Sequence, residues 1–177
     1  MKIEKYDLEK VIESKQPIVL TGVGKSKRVA QLICDSFQSV NFPFYFIDPI
    51  DMMHGSLGVL NTFDKTPLLL LMSKSGRTEE TLQLAKTVFF GENNVKIIMI
   101  TMNPETSFEY GDVIHIPPVN EVDPLNKLPS YSLIEYQKFF FLILEKFFQH
   151  NLITDEDFLK NHPKGGLHHY NQEKIDE

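Results

Sequence analysis

The chain has 177 residues, a net charge of −6 and one cysteine, which suits one domain with a sizeable core and argues against a nonspecific binder of nucleic acid or of an anionic membrane. A lone cysteine excludes a disulfide within the chain and fits a reducing compartment. No apolar run approaches the ~18 residues of a membrane span, and the N-terminus has no signal-peptide pattern, so a cytoplasmic location is expected.

In chain order, Lys2 to Ser14 reads as a short, mildly amphipathic helix. Ile18-Val19-Leu20-Thr21 is the first of five short apolar runs. The others are Phe44-Tyr45-Phe46-Ile47, Leu68-Leu69-Leu70-Leu71-Met72, Lys96-Ile97-Ile98-Met99-Ile100 and Val113-Ile114-His115-Ile116. They are rich in branched or aromatic residues and mostly lack alternation, as strands covered on both faces do. Ser26 to Ser39 carries Val29, Ala30, Ile33 and Phe37 at helical spacing, with Cys34 among them as a buried thiol. Glu79 to Phe90 carries Leu82, Ala85, Val88 and Phe89 in the same way. Ser132 to His150 is long, and its centre, Phe139-Phe140-Phe141-Leu142-Ile143-Leu144, is apolar almost all round. Such a helix needs partners on more than one side; it lies deep in the domain or faces another subunit. Thr154 caps a last short helix, with Asp157 completing a capping-box-like pattern. Lys164 to Glu177 is polar and aperiodic, and is expected to be partly flexible.

Alternating strands and helices predict an α/β fold: three layers, doubly wound, with a parallel sheet of about five strands. In such sheets ligands sit beyond the carboxyl ends of the strands. Ser73-Lys74-Ser75-Gly76-Arg77-Thr78 follows the most apolar run and precedes a helix. Unsatisfied N–H groups and the helix dipole favour an anion there. Ser73, Ser75 and Thr78 add hydroxyls, and Gly76 permits close approach of the backbone. A plain turn in which Thr78 only caps the helix fits the same pattern. Thr21-Gly22-Val23-Gly24-Lys25-Ser26 ends the first strand. It is no nucleotide P-loop, because Val19 stands where that motif needs glycine. It is a poor dinucleotide fingerprint, because Lys27 takes the third glycine position. What remains is Lys25, aimed at the same crevice. His54, Glu121 and His162 stand in further polar segments. Each alone is more often structural; together with the cradle and the lysine they could move protons on a phosphorylated sugar.

These segments together resemble the sugar isomerase (SIS) domain family, and within it the KpsF/GutQ-type arabinose 5-phosphate isomerases. The residues that carry the likeness are Gly22-Val-Gly24-Lys25-Ser26, His54-Gly55-Ser-Leu-Gly58, Ser73-Lys-Ser75-Gly76-Arg-Thr78-Glu79-Glu80, Glu121-Val-Asp-Pro124-Leu125 and His162-Pro163-Lys-Gly165-Gly166. They follow the family order over nearly the whole chain, as one SIS domain with a core of about residues 17–163. The resemblance implies interconversion of D-ribulose 5-phosphate and D-arabinose 5-phosphate without a cofactor, as a step towards the eight-carbon sugar Kdo of lipopolysaccharide and some capsules. It implies a homotetramer with active sites shared between subunits; the charge and the lack of a long apolar run already argue against nucleic acid or membrane as a partner. It places catalytic residues at Lys25, Glu80, Glu121 and His162. Phosphate and substrate contacts fall at Ser73, Ser75, Thr78, His54 and Gly24.

The chemistry implied is removal of a proton beside a carbonyl and its return to the neighbouring carbon, through a cis-enediol. Either glutamate could be the base. His162 could shuttle protons between oxygens, its unperturbed pKa lying near neutrality. Lys25 could neutralise phosphate or oxyanion charge.

Departures from the family are equally specific. No CBS domains are expected, and the N-terminal extension is short. Lys74 stands where relatives usually have a small or neutral residue, and Arg77 where an acid is common. Asp48 replaces a histidine that can bind inhibitory metal, so no metal is expected. Two other readings compete: another SIS isomerase, such as a 6-phospho-3-hexuloisomerase, and a sugar-phosphate-binding regulator without catalysis.

Overall fold

The computed structural model describes residues 5–91 and 93–162. Each of the five apolar runs is a strand: β1 (Ile18–Gly22), β2 (Phe44–Phe46), β3 (Leu68–Met72), β4 (Lys96–Thr101) and β5 (Asp112–His115). All pairings are parallel, in the order β2-β1-β3-β4-β5. Ile18 stands beside both Phe44 and Leu68, Leu68 beside Lys96, and Ile98 beside Asp112. Every residue of β1 and β3 is buried, which is why these strands show no alternation in sequence. The alternation is present nonetheless: Leu68, Leu70 and Met72 join one core, while Leu69 and Leu71 join the other.

Helices cover both faces and complete the expected three layers. On one side lie α1 (Lys5–Glu13), α2 (Lys25–Gln38) and, later in the chain, the long helix Tyr131–Gln149. That core contains Leu8, Ile33, Phe37, Phe44 and Phe140, with Phe37 stacked on Phe44 at 4.0 Å between ring centres. Cys34 is buried there as expected, and burial first, then the neighbouring Asp35, pushes its thiol up to about 12. On the other side lie α3 (Pro49–Met53), a 3-10 helix (Ser56–Asn61) and α4 (Glu79–Phe90). Met52, Leu84 and Val88 pack there on Val19, Leu69 and Met99.

Two features differ from the sequence reading. In α4 the inward residues are Thr81, Leu84, Ala85 and Val88; Leu82 is half-buried and Phe89 is exposed. The stripe is therefore rotated relative to the one read from Leu82 and Phe89. The two short helices after β2 were not foreseen. Asp48 caps α3, accepting from Ile50 N at 2.9 Å, and Pro49 fills its first turn. The long helix, α5, buries Tyr136, Phe139, Phe140, Ile143 and Phe147 against its own sheet and leaves Ile134 and Leu142 exposed.

The last described helix, α6 (Asp155–Lys160), has the full capping box of Thr154 and Asp157. Asn161 ties its end to Ser39 O and Asn41 Oδ1, in the loop that leads into β2. α6 therefore sits at the end of the sheet where strands begin. Residues 2–4 of the expected first helix, the motif from Pro163 onwards and the tail 164–177 lie outside the described residues. Among the described residues no helix is long and apolar enough to cross a membrane.

Candidate active site

The strand order reverses between β1 and β3, since β1 leads outward to β2 and β3 leads the other way to β4 and β5. A crevice is expected at that point, beyond the carboxyl ends. An open cleft of about 690 Å³ lies there. Its walls come from the ends of four strands: Val23 and Ser26 after β1, Ser73–Ser75 and Thr78 after β3, Met102–Pro104 after β4, and Pro118–Asn120 after β5.

Ser73, Ser75 and Thr78 are brought together as the sequence predicts. Ser73 and Thr78 share a hydrogen bond between their hydroxyls at 2.8 Å. Thr78 is the N-cap of α4, yet its side chain makes no capping bond. Thr78 therefore does not supply the side-chain cap that the plain-turn reading gave it. The N–H groups of the first turn have no intrahelical acceptor, so they face the cleft end of the helix ready for an anion. Gly76 has φ +67, and a Cβ there would come within 2.3 Å of Thr106 Oγ1. The turn thus requires glycine for both conformation and space. The cradle backbone is fixed from β4: Thr101 Oγ1 donates to Lys74 O at 3.0 Å, and Asn103 Nδ2 donates to Ser75 O at 3.0 Å.

The remaining candidates lie in other places. Gly24 is the N-cap of α2 with φ 62, and Lys25 is the first residue of that helix; both are exposed, and neither lines the cleft. His54 and Glu80 share a second groove of about 420 Å³, with Pro49, Met53, Glu79 and Gln83. The first turn of α4 separates this groove from the cleft. His162 is stacked on Phe158 at 3.9 Å between ring centres, with its Nδ1 at 2.7 Å from Phe158 O. Belonging to the end of α6, it is held at the far end of the sheet from the cradle of its own chain. Among the described residues no group of three or more His, Cys, Asp or Glu is arranged to hold a metal. Asp48 instead pairs with Lys27 at 2.5 Å, and its side-chain bond from that lysine holds its carboxyl below the usual range.

Glu121 is buried behind the cleft, its side chain 1% exposed. It accepts from Lys74 Nζ at 2.6 Å, from Ser130 N at 2.9 Å and Oγ at 3.0 Å, and from Ser132 N at 3.2 Å and Oγ. Burial alone would raise its pKa; the Lys74 ammonium and the serine donors outweigh that and hold it well below the usual carboxylate range. Sequence reasoning missed Asn103, Asn120 and Asn126 as parts of this region. The positive charge of Lys74 beside the cradle was legible; its pairing with a carboxylate 47 residues away was not.

Fold and site together define a doubly wound α/β domain with an open cleft at its switch point. The sequence matches the SIS domain family over residues 11–144, and the chain belongs to that family. It is 30% identical over 163 residues to arabinose 5-phosphate isomerase KpsF of Escherichia coli O6:H1, a match covering 90% of this chain and 48% of the relative. The chain thus spans about half the length of the curated relatives it matches. A Bacteroides fragilis NCTC 9343 protein, provisionally assigned as a phosphosugar isomerase involved in capsule formation, has a similar structure. Its TM-score is 0.80 at 26% identity, over 92% of this chain and 86% of that one. An E. coli CFT073 protein solved in complex with arabinose 5-phosphate has a TM-score of 0.78 at 28% identity, over 89% of this chain and 83% of that one.

Proposed function

We propose that the protein is an aldose–ketose isomerase of sugar phosphates, and that its substrates are D-ribulose 5-phosphate and D-arabinose 5-phosphate. The observation that carries this reading is the uncapped first turn of α4, set with Ser73, Ser75 and Thr78 against a cleft at the switch point. It suits a phosphate monoester. The names of the E. coli relatives support the pentose among the possible sugars.

With the phosphate in the cradle, the sugar runs past the first turn of α4 towards Glu80 and His54. Glu80 is the better base of the two glutamates. It is exposed in a groove, whereas the Glu121 carboxylate is saturated with donors. A carboxylate whose pKa is driven down is a weak base. Glu80 removes the proton beside the carbonyl and returns it to the neighbouring carbon through a cis-enediol. Lys25 balances the charge of the phosphate or the enediolate. His162 moves protons between the sugar oxygens, and it reaches the site from another subunit of a homotetramer. The product feeds Kdo synthesis for lipopolysaccharide or capsule.

The test is incubation of the purified protein with D-arabinose 5-phosphate and detection of D-ribulose 5-phosphate, with 3-hexulose 6-phosphate in parallel. Turnover of the pentose phosphate is expected. Turnover of the hexulose alone would make the chain a hexuloisomerase, and tight binding without turnover of either would make it a regulator.

A further inference from the structure

Lys74 stands between the cleft and the buried carboxylate. Its side chain is one third exposed and lines the cleft beside Ser73, Ser75 and Thr78. Its backbone oxygen is held by Thr101 Oγ1 at 3.0 Å and by Met102 N at 3.2 Å. We propose that Lys74 is an anion-binding residue of the cleft, and that Glu121 is a positioning residue acting through Lys74 rather than on the substrate.

An ammonium group carries three donors. Among the described residues Lys74 gives one of them to Glu121, at 2.6 Å. The remaining donors are available to a ligand on the cleft side, so the cation lies nearer the ligand than its counter-charge does. A long lysine side chain free in solvent loses much rotamer freedom on binding. A fixed counter-charge at its tip removes part of that cost beforehand. Glu121 is fixed in turn by Ser130 and Ser132, at the entry to α5. Five donors meet its carboxylate, which has about four lone-pair sites. None is left for a substrate proton.

The identity of the ligand rests on the isomerase reading; the anion site does not. Calorimetric titration with inorganic phosphate and with D-arabinose 5-phosphate, together with steady-state kinetics, separates the two for wild type, Lys74→Met, Lys74→Arg and Glu121→Gln. Lys74→Met is expected to weaken both anions by about tenfold or more, as loss of a charge-assisted contact does, and Lys74→Arg to restore most of it. Glu121→Gln is expected to raise KM and leave kcat within about tenfold. Equal phosphate affinity in wild type and Lys74→Met overturns the proposal, as does absence of phosphate binding in the wild type. A fall of kcat beyond about a hundredfold in Glu121→Gln at unchanged KM overturns the second half, since it makes Glu121 catalytic. If the wild type turns over neither sugar phosphate while Lys74→Met still loses phosphate, the isomerase reading fails and the anion site stands. Should Glu121→Gln not fold, the partly exposed Lys74 variants decide alone.

Discussion

Glu121→Gln keeps the size of the side chain and removes the charge that Lys74 pairs with. The native pKa of Glu121 is held below its ordinary value of 4.5 by Lys74 and the serine donors, against the pull of burial. A carboxylate of this kind adds stability above its unfolded pKa and loses it as pH falls through the lowered native value. The melting temperature of the wild type is therefore expected to drop as pH is lowered below 4.5, with a shallower slope for Glu121→Gln. Thermal scans across that range check it; parallel slopes would contradict it. At this scale the sequence was only half legible. The hydroxyls and glycine of the cradle sit within six residues, so their grouping could be read. The Lys74–Glu121 pair and its serines are joined only by the fold. A resemblance could assign Glu121 a role, but not its burial.

Helix α5 shows what packing adds to periodicity. Phe140 is fully buried, and its ring meets Phe37 and Phe44 edge-on at 6.2 and 6.3 Å between centres. Phe140→Ala should cost about 3–5 kcal/mol of unfolding free energy, through lost transfer energy and the cavity left behind. Leu142→Ala, on the exposed side of the same helix at 38% exposure, should cost much less. Chemical denaturation of the two variants tests this, and equal losses would mean that another surface covers Leu142. The strands and the start of α4 were readable because apolar runs and caps are local signals. The phase of α4 was not. Phe89 looks inward by hydrophobicity, yet it lies outside with Phe90 and Tyr110, its ring 5.2 and 5.7 Å from theirs. Helix α3 escaped notice because its five residues are too few to show a helical period.

At the scale of the molecule, one chain holds the cradle and His162 at opposite ends of its sheet. The proposed mechanism needs both, so it needs a second subunit. Mixing Glu80→Gln protein with His162→Ala protein under conditions that exchange subunits should recover activity that neither has alone. If each site draws on two subunits at random, roughly a quarter of the sites are intact. Failure to recover any activity from efficiently mixed subunits would remove His162 from the mechanism. No single-chain pattern could reveal this separation, because the order of motifs along the sequence does not record which end of the sheet each one reaches.

The enediol is the centre of the account, and solvent exchange reports on it directly. D-Arabinose 5-phosphate is incubated with the protein in heavy water and followed by proton NMR, for wild type and Glu80→Gln. The account predicts conversion to D-ribulose 5-phosphate with deuterium entering at C1 or C2, and loss of both in the variant by about a thousandfold or more, as removal of a general base requires. Undiminished exchange in Glu80→Gln, or conversion by the wild type with no solvent deuterium entering at any fraction of turnover, would contradict it.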